Sequence, residues 1–245
     1  MKDQDAYGHE VWDYYKKKSG YEIIERDDGY IHASSGPKAY FAPYEEWHRI
    51  EKESLEFAKG RVLDVGCGAG RVAIYLQNEK KLDVLGIDNS PLAIKVSKLR
   101  GLKKARVLDF QKIDFTPASF DTIIMFGNNF GLFASPSIAK RLLKKLFTMA
   151  SEDAVIICNT ADPYKTNDPD HLLYQRRNKE RNKPGGQIRI RARYRTFIGK
   201  WFYYLLVSKD EMYKIVQGTG WKIERFFDAP PGERLVYIAL IHKER

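Results

Sequence analysis

The chain has 245 residues, and its 43% hydrophobic and 13% aromatic content is typical of a globular protein rather than a disordered one. Its net charge of +10, unevenly placed and dense between Gln175 and Lys200, is compatible with anionic partners or substrates and equally with a solvated basic surface. No apolar run approaches the ~20 residues that cross a bilayer, and the first residues lack the apolar stretch of a secretory signal. Cys67 and Cys158 lie in apolar core-like runs, so the sequence predicts a cytoplasmic protein without a disulfide framework.

Residues 1–59 are predicted to form a helical cap segment that is rich in aromatic side chains. Apolar spacing predicts a helix from Asp5 to Lys18 and a second from Tyr44 to Ala58, with an irregular stretch from Tyr21 to Pro43 between them. Two interpretations of the aromatic residues stay open. They either fold over a ligand site as a partial lid, with Tyr40 as the expected contact, or pack the helices on a sheet.

Residues 60–161 alternate between apolar strand-like runs and helices. Several runs are almost continuously apolar, which is typical of a parallel sheet covered on both faces. Ser90 and Ser135 each precede a proline and are the expected helix N-caps. The predicted strands are Arg61–Val65, Asp83–Asp88, Ala105–Leu108, Phe120–Phe126 and Ala154–Asn159, and the predicted helices are Gly70–Asn78, Pro91–Arg100 and Pro136–Met149.

Residues 162–207 are predicted to be an insertion that serves as a substrate cap or an oligomer contact. Its first part, Asp162–Gly186, is polar, basic and too long for an ordinary connection, which indicates a functional or mobile segment. Ile188–Thr196 and Trp201–Val207 then predict a β-hairpin with its turn at 197–200.

Residues 208–245 are predicted to complete the core sheet. The elements expected there are a helix at Lys209–Gln217 with Ser208 as its cap, strands at Trp221–Phe227 and Leu235–His242, and a turn at Pro230-Pro231-Gly232.

A run of closely spaced glycines follows the first core strand. Gly66, Gly68 and Gly70 allow the backbone to turn tightly and to approach a ligand without interference from a Cβ atom. The helix that begins next presents unpaired backbone N–H groups to such a ligand. The glycines alone are also compatible with an ordinary tight turn.

Acidic residues at successive strand ends add to this signal. Asp88 ends the next strand, where a carboxylate can accept both hydroxyls of a ribose. Asp109 ends the third strand, where it can accept a hydrogen bond from an adenine amino group beside the backbone N–H of Phe110. Each aspartate alone is also compatible with capping a turn. Together with Asp64 they favour one adenosine-bearing ligand.

From about Arg61 to Asn159 the sequence resembles the class I S-adenosylmethionine-dependent methyltransferases. The matching residues are Asp64-Val65-Gly66-Cys67-Gly68-Ala69-Gly70, then Asp88, Asp109 and Phe120-Asp121. The resemblance implies an α/β fold with a doubly wound, Rossmann-like, seven-stranded sheet whose last strand is antiparallel. It also implies S-adenosylmethionine as cofactor and S-adenosylhomocysteine as product.

The resemblance further implies roles at matched positions. The glycine loop would lie beside the methionine part of the cofactor, Asp88 on the ribose, and Asp109 with Phe110 on the adenine. Gly127 and Asn128, after the fourth strand, would face the methionine part and the substrate. The full candidate cofactor-binding set is Asp64, Gly66, Cys67, Gly68, Gly70, Asp88, Asn89, Asp109, Phe110, Gly127, Asn128 and Tyr40.

The function predicted is methyl transfer to a small-molecule acceptor by in-line displacement, for which the protein mainly aligns the reactants and excludes water. His9, His32, Asp162 and several tyrosines are candidate general bases, and the sequence does not choose a catalytic residue among them. No metal site is predicted, and both a monomer and a homodimer stay open. A nicotinamide cofactor is disfavoured because the loop reads Gly-x-Gly-x-Gly rather than Gly-x-Gly-x-x-Gly.

An arginine-rich run keeps a second function open. Between Arg189 and Arg195 every second residue is arginine, which places four guanidinium groups on one face of a strand. They can bind RNA phosphates, form a surface strand that discourages edge pairing, or lie near a homodimer contact through Trp201. An RNA methyltransferase is therefore the alternative prediction, and a non-catalytic S-adenosylmethionine-binding protein is a third.

Overall fold

The structure is a computed structural model that describes residues 4–34, 36–230 and 236–244. The chain divides into two compact units, the first formed by residues 1–47, 60–113 and 189–202, the second by 48–59, 114–188 and 203–245. Within the described residues, no helix is long and apolar enough to cross a membrane. The predicted turn at Pro231-Gly232 and the predicted strand start at Leu235 lie outside the described residues.

The described residues form eight α-helices and twelve strands. The helices are α1 (Ala6–Tyr15), α2 (Pro37–Phe41), α3 (Arg49–Ser54), α4 (Arg71–Asn78), α5 (Pro91–Leu99), α6 (Pro136–Met149), α7 (Pro169–Glu180) and α8 (Lys209–Val216). The strands are β1 (Ile23–Arg26), β2 (Ile31–Ala33), β3 (Arg61–Val65), β4 (Asp83–Asp88), β5 (Lys104–Val107), β6 (Phe120–Met125), β7 (Ala150–Ala161), β8 (Gln187–Tyr194), β9 (Phe197–Ile198), β10 (Phe202–Leu205), β11 (Trp221–Asp228) and β12 (Val236–Lys243).

The larger sheet has seven strands in the order β11-β12-β7-β6-β3-β4-β5. β3, β4 and β5 pair in parallel, as do β6 and β7, whereas β12 is antiparallel to both β7 and β11. The predicted Rossmann-like sheet with an antiparallel last strand is confirmed. The interior of β12 is buried, as its apolar sequence predicts for a central strand.

The helices of this α/β core begin at the caps that the sequence predicts. The Ser90 hydroxyl accepts a hydrogen bond from the Ala93 amide at 3.0 Å, and Ser135 caps α6 in the same way. Ser208 forms a reciprocal capping box with Glu211 at the start of α8. Local chemistry therefore fixes where these helices start.

A second sheet has the order β10-β8-β1-β2, with β9 also paired to β8. Two predictions are wrong here. The stretch 21–43 is not irregular, because it contains β1, β2 and α2. The predicted hairpin turn at 197–200 is instead partly occupied by β9, and the chain reverses at Arg195, whose φ is 51°. β8 is flanked on both sides, so its arginines do not protect a sheet edge.

The predicted helix over residues 44–58 is broken into three pieces. A 3₁₀ turn at Tyr44–Glu46 precedes α3, and a second one at Leu55–Phe57 follows it. The break falls at Trp47, whose backbone is extended, with ψ at 149°. Its indole Nε1 donates to the Ala42 carbonyl at 2.9 Å and its ring packs against Tyr75, so side-chain packing interrupts the helix.

The long segment 162–186 is largely ordered by α7, a helix that the sequence analysis did not identify. Asp168 caps it by accepting from the amides of Asp170 and His171. Asn178, near the end of α7, is buried, and its side-chain amide donates hydrogen bonds to backbone carbonyls of the following loop. The segment is therefore a helix with a tied return loop.

Candidate active site at the glycine loop

The glycine loop follows β3 and is held against the end of β4. The Ile87 carbonyl accepts from the amides of Gly66 and Cys67 at 2.8 and 3.0 Å. Gly68 has a φ of +53°, and a Cβ atom there would lie 2.4 Å from the hydroxyl oxygen of Tyr7. A side chain at this residue would therefore displace the Tyr7 hydroxyl and strain the backbone.

Asp88 ends β4 and braces this loop. Its Oδ2 accepts from the Gly68 amide at 3.0 Å, and its Oδ1 accepts from the Ser90 amide at 2.8 Å. The residue is only 8% exposed, and burial raises the pKa of Asp88 to about 6 despite these hydrogen bonds.

Asp64 is a second buried carboxyl in the same unit, one residue before the end of β3. Burial raises the pKa of Asp64 to about 7, although the guanidinium of Arg71 opposes this shift. The Asp88 carboxylate adds to it, because two negative charges repel each other in a poorly solvated site. A cationic group bound nearby would favour the ionised form of both carboxyls.

The predicted cofactor-binding residues Asn89, Asp109 and Phe110 lie beyond the ends of β4 and β5. Asn89 is exposed directly after β4. Asp109 is exposed two residues after β5, and its Oδ1 accepts from the Gln111 amide at 2.9 Å, so it caps a 3₁₀ turn. Phe110 is buried. The first unit thus places Asp64, Asp88, Asn89 and Asp109 along the carboxyl edge of three parallel strands, where open α/β sheets bind ligands.

The N-terminal helix α1 docks on α5 beside the loop. The Asp5 Oδ2 accepts from the Ser90 hydroxyl at 2.8 Å and from the Leu92 amide at 3.3 Å. Val11 packs in one cluster with Ala69 of the loop and with α5, and Trp12, Tyr15, Tyr40 and Phe41 surround this cluster. The aromatic residues therefore both pack the helices and lie next to the loop.

The sequence analysis missed Tyr7, whose hydroxyl is the group nearest the open face of Gly68. Burial, followed by the Asp88 charge, raises the pKa of Tyr7, so its hydroxyl stays protonated. Tyr40, the predicted contact, instead donates from its hydroxyl to Glu22 at 3.2 Å, and its ring lies 5.4 Å from that of Tyr7. The position of Tyr7, two residues after the N-cap Asp5, was the available signal.

Two buried glutamates were also missed. Glu22 accepts from the hydroxyls of Ser34 and Tyr40, and it is 5% exposed. Glu10 is 1% exposed, and neither of its carboxyl oxygens has a hydrogen-bond partner within the described chain. Burial and then the Glu22 charge raise the pKa of Glu10 to about 8, while the Glu22 backbone amide opposes the shift.

Gly127 and Asn128 belong to the second unit and form the turn after β6. The Asn128 amide donates to Asn159 Oδ1 at 2.7 Å, and its carbonyl accepts from the Tyr204 hydroxyl at 2.6 Å. The side-chain Oδ1 of Asn128 is buried without a partner in the described part of the chain. The assignment of both residues to cofactor binding stays a prediction.

The candidate bases lie in separate places. His9 stacks on Phe197 with ring centroids 3.6 Å apart, and His32 is exposed on β2. Asp162 belongs to the second unit and accepts from the Tyr164 amide. A search of the described residues finds no group of three or more histidine, cysteine, aspartate or glutamate side chains arranged for a metal ion.

Three arginines of the arginine-rich run form ion pairs with acidic residues of the first unit. Arg191 forms two hydrogen bonds to Glu25 at 2.8 and 3.0 Å, and Arg193 adds a third at 3.2 Å. Arg195 pairs with Asp13, and the guanidinium of Arg191 lies 4.4 Å from the Trp201 ring centroid. This pairing favours a surface role for the strand over phosphate binding.

Comparison with known proteins gives matches to methyltransferases and to carboxy-S-adenosyl-L-methionine synthases. Residues 62–153 match the family model described as a methyltransferase domain. A carboxy-S-adenosyl-L-methionine synthase from Helicobacter pylori is 29% identical over 56% of this chain and 56% of that protein. A ubiquinone biosynthesis O-methyltransferase from Idiomarina loihiensis is 38% identical over 36% of this chain and 40% of that protein. The chain spans about half the length, or less, of the curated relatives it matches.

A solved structure extends the similarity to the whole chain. A SAM-dependent methyltransferase from Bacteroides fragilis, determined in complex with S-adenosyl-L-homocysteine, has a TM-score of 0.81 and 26% identity. The match covers 99% of this chain and 96% of that one.

The antiparallel seventh strand and the glycine loop braced by buried carboxylates define a Rossmann-like α/β protein built around a nucleotide-type cofactor. The family-model match and the full-length structural similarity narrow this class to methyltransferases. Residues 62–153 form a methyltransferase domain, and the chain as a whole has the fold of the class I S-adenosylmethionine-dependent methyltransferases.

Proposed function

We propose that the chain binds S-adenosylmethionine at the carboxyl edge of β3, β4 and β5 and transfers its methyl group to a small-molecule acceptor in the cytoplasm. One observation carries this proposal. Asp64 and Asp88, both buried, flank a loop that excludes a side chain at Gly68. Such a pair is suited to a ligand that combines ribose hydroxyls with positive charge. The Bacteroides fragilis complex with S-adenosyl-L-homocysteine supports the same choice.

Residues of the first unit divide the binding task. Asp88 would hold the ribose, with Asn89 beside it, and Asp109 with Phe110 would hold the adenine. Asp64 and the glycine loop from Gly66 to Gly70, including Cys67, would hold the methionine part, whose ammonium favours the ionised form of Asp64. When bound, the cofactor supplies a methyl group on a sulfonium that is already activated for displacement.

The chain contributes alignment and exclusion of water. α1 is fixed over the loop by Asp5, and the Tyr7 hydroxyl covers Gly68. Tyr40 adds its ring next to Tyr7. Enclosure of this kind strengthens the electrostatic interactions of the buried carboxyls and keeps solvent from the reacting centre. Because Arg191 and Arg193 are paired with Glu25, we favour a small acceptor over RNA.

The test is cofactor binding by isothermal titration calorimetry with S-adenosylhomocysteine. We expect Asp88→Ala to weaken binding by more than tenfold, since it removes an acceptor and releases the Gly68 amide. Asp83→Ala is the matched control, because Asp83 begins the same strand and is exposed in an ion pair with Lys104. Equal affinities of wild type and D88A would contradict the proposed site.

Proton release gives the same experiment a second readout. A bound cation favours the ionised carboxyls, so binding near pH 6 should release protons from Asp88 and Asp64. The observed enthalpy should therefore vary with the ionisation enthalpy of the buffer. Binding without this variation would argue against a role for the buried carboxyls.

A further inference from the structure

A groove of about 530 Å³ lies beside α7, entirely within the second unit. This volume falls in the range of roughly 300–1,000 Å³ that small-molecule sites occupy. Its apolar surface comes from Tyr164, Leu172 and Pro184, and its cationic surface from Arg176, Lys179 and Lys183. The methyl-transfer function proposed above does not use this groove.

The groove walls are fixed by hydrogen bonds and close packing. The Asn178 side-chain amide lies 3.2 Å from the Gly185 carbonyl and 2.7 Å from that of Gln187, so it ties the return loop to α7. The Tyr164 hydroxyl donates to Glu211 at 2.5 Å. A Cβ atom on Gly185 would lie 2.7 Å from the Tyr164 ring, which shows how closely loop and ring approach. The groove is therefore formed before any ligand arrives.

The cations of the groove are left unneutralised. Among the described residues, no ion pair or hydrogen bond involves the side chain of Arg176 or Lys179, and no carboxylate lines the groove. They lie three residues apart on α7, where like charges repel each other. The paired Arg191 and Arg193 of β8 differ from them in this respect. An anion in the groove would relieve this repulsion.

Exposed apolar side chains beside these cations indicate that the rest of the ligand is apolar. Leu172 is 40% exposed and Tyr164 is 45% exposed, on the surface that faces the groove. A purely inorganic anion would leave this apolar surface in water, whereas an organic anion would cover it. The arrangement suits a molecule with one charged end and one apolar end.

We infer that the α7 groove binds a small organic anion, with its carboxylate or phosphate against Arg176, Lys179 and Lys183 and its apolar body on Leu172 and Tyr164. RNA is the competing class of ligand. RNA would use the cations but not the apolar groove residues Leu172 and Tyr164, because its backbone charges repeat along a strand.

The test measures binding of octanoate and octyl phosphate to the full chain by calorimetry. 1-Octanol serves as the neutral probe and a 20-nucleotide oligouridine as the RNA probe. Octanoate or octyl phosphate should bind at least tenfold more tightly than octanol, and the stronger of the two identifies the charged group. The double variant Arg176→Glu/Lys179→Glu should weaken that binding at least tenfold. Lys140→Glu/Lys144→Glu, the same charge change on exposed positions of α6, should not.

Three results would overturn the inference. Octanol binding as tightly as either anion would show an apolar site only. If the anions bound wild type and R176E/K179E with equal affinity, Arg176 and Lys179 would not be their binding site. Oligouridine binding that requires Arg176 and Lys179, without binding of either small anion, would assign the surface to nucleic acid. Thermal unfolding of both double variants checks that the exposed substitutions leave the fold intact.

Discussion

Replacing Glu10 by glutamine keeps the shape of a buried side chain and removes its ionisation. Glu10 is 1% exposed, and neither carboxyl oxygen makes a close hydrogen bond within the described chain. Burial and the Glu22 charge raise the pKa of Glu10 from 4.5 to about 8. Between these two values the folded protein holds a proton on this carboxyl that the unfolded chain has released. Folding in that range therefore takes up a proton.

The sign of the pH dependence follows from this uptake. A carboxyl whose pKa is raised by folding contributes its full stability below about pH 4.5 and loses that contribution as the pH rises towards 8. One pKa unit corresponds to about 1.4 kcal/mol, so the loss is on the order of 1 kcal/mol at pH 5 and 3 kcal/mol at pH 7. The Glu10→Gln variant has no such loss.

Urea denaturation at pH 5, 6, 7 and 8 measures the effect. The free energy of unfolding of E10Q, relative to wild type, should rise by about 2 kcal/mol between pH 5 and 7. Asp64 and Asp88 also have raised pKa values and give a pH dependence of the same sign. Their contributions cancel when the unfolding free energy of wild type is subtracted from that of E10Q. Glu180→Gln, at an exposed position of α7, should give a flat difference. Parallel pH curves for wild type and E10Q would show that folding does not raise the pKa of Glu10.

Two glycine substitutions test the close packing. Gly68→Ala places a Cβ atom 2.4 Å from the Tyr7 hydroxyl at a φ of +53°, so the urea midpoint should fall, and adding Tyr7→Phe should restore part of it. An unchanged midpoint for G68A would contradict the packing described. Gly186→Ala places Cβ 2.1 Å from the Leu206 carbonyl oxygen and should cost more than about 2 kcal/mol of unfolding free energy. Gly101→Ala, at φ +105° with open space around it, should cost only about 1 kcal/mol by the same measurement, and equal losses would argue against the clash.

The α/β core could be predicted from sequence because its signals are local. The bounds of β3, β4 and α6 agree with the prediction residue for residue. Its buried strands are almost continuously apolar. Ser90 and Ser135 mark the starts of two helices, because each side chain accepts a hydrogen bond from an amide three residues later. The glycine loop could be found for the same reason, since its geometry is encoded in consecutive residues.

The second sheet could not be predicted, because its pairing is between distant segments. β1 has only four residues, and its ladder partner β8 comes from the far end of the chain. Without that partner the pattern Ile-Ile-Glu-Arg is too short to separate a strand from an irregular stretch. The turn at Arg195 escaped notice because it requires a positive φ at a residue that rarely adopts one.

Site residues that lie at strand ends could be predicted from the sequence. Site residues that are buried only because one helix docks on another could not. Asp64 and Asp88 were found from their positions in β3 and β4. Tyr7 and Glu10 depend on α1 docking against α5, which no local pattern encodes. Glu10 shares a helix face with Ala6, four residues earlier and also buried, and this spacing was the available signal.

The pairing of β1 with β8 has a consequence for how the protein is made. Glu25 and its partner Arg191 are separated by 166 residues. At a synthesis rate of about 5–20 residues per second, β1 leaves the ribosome about 10 to 30 s before β8 exists. During that interval the β1–β2 ribbon has an open edge, so the nascent chain passes through a stage prone to strand-to-strand association. Synthesis of β8, rather than emergence of the first hundred residues, therefore sets when this sheet can form.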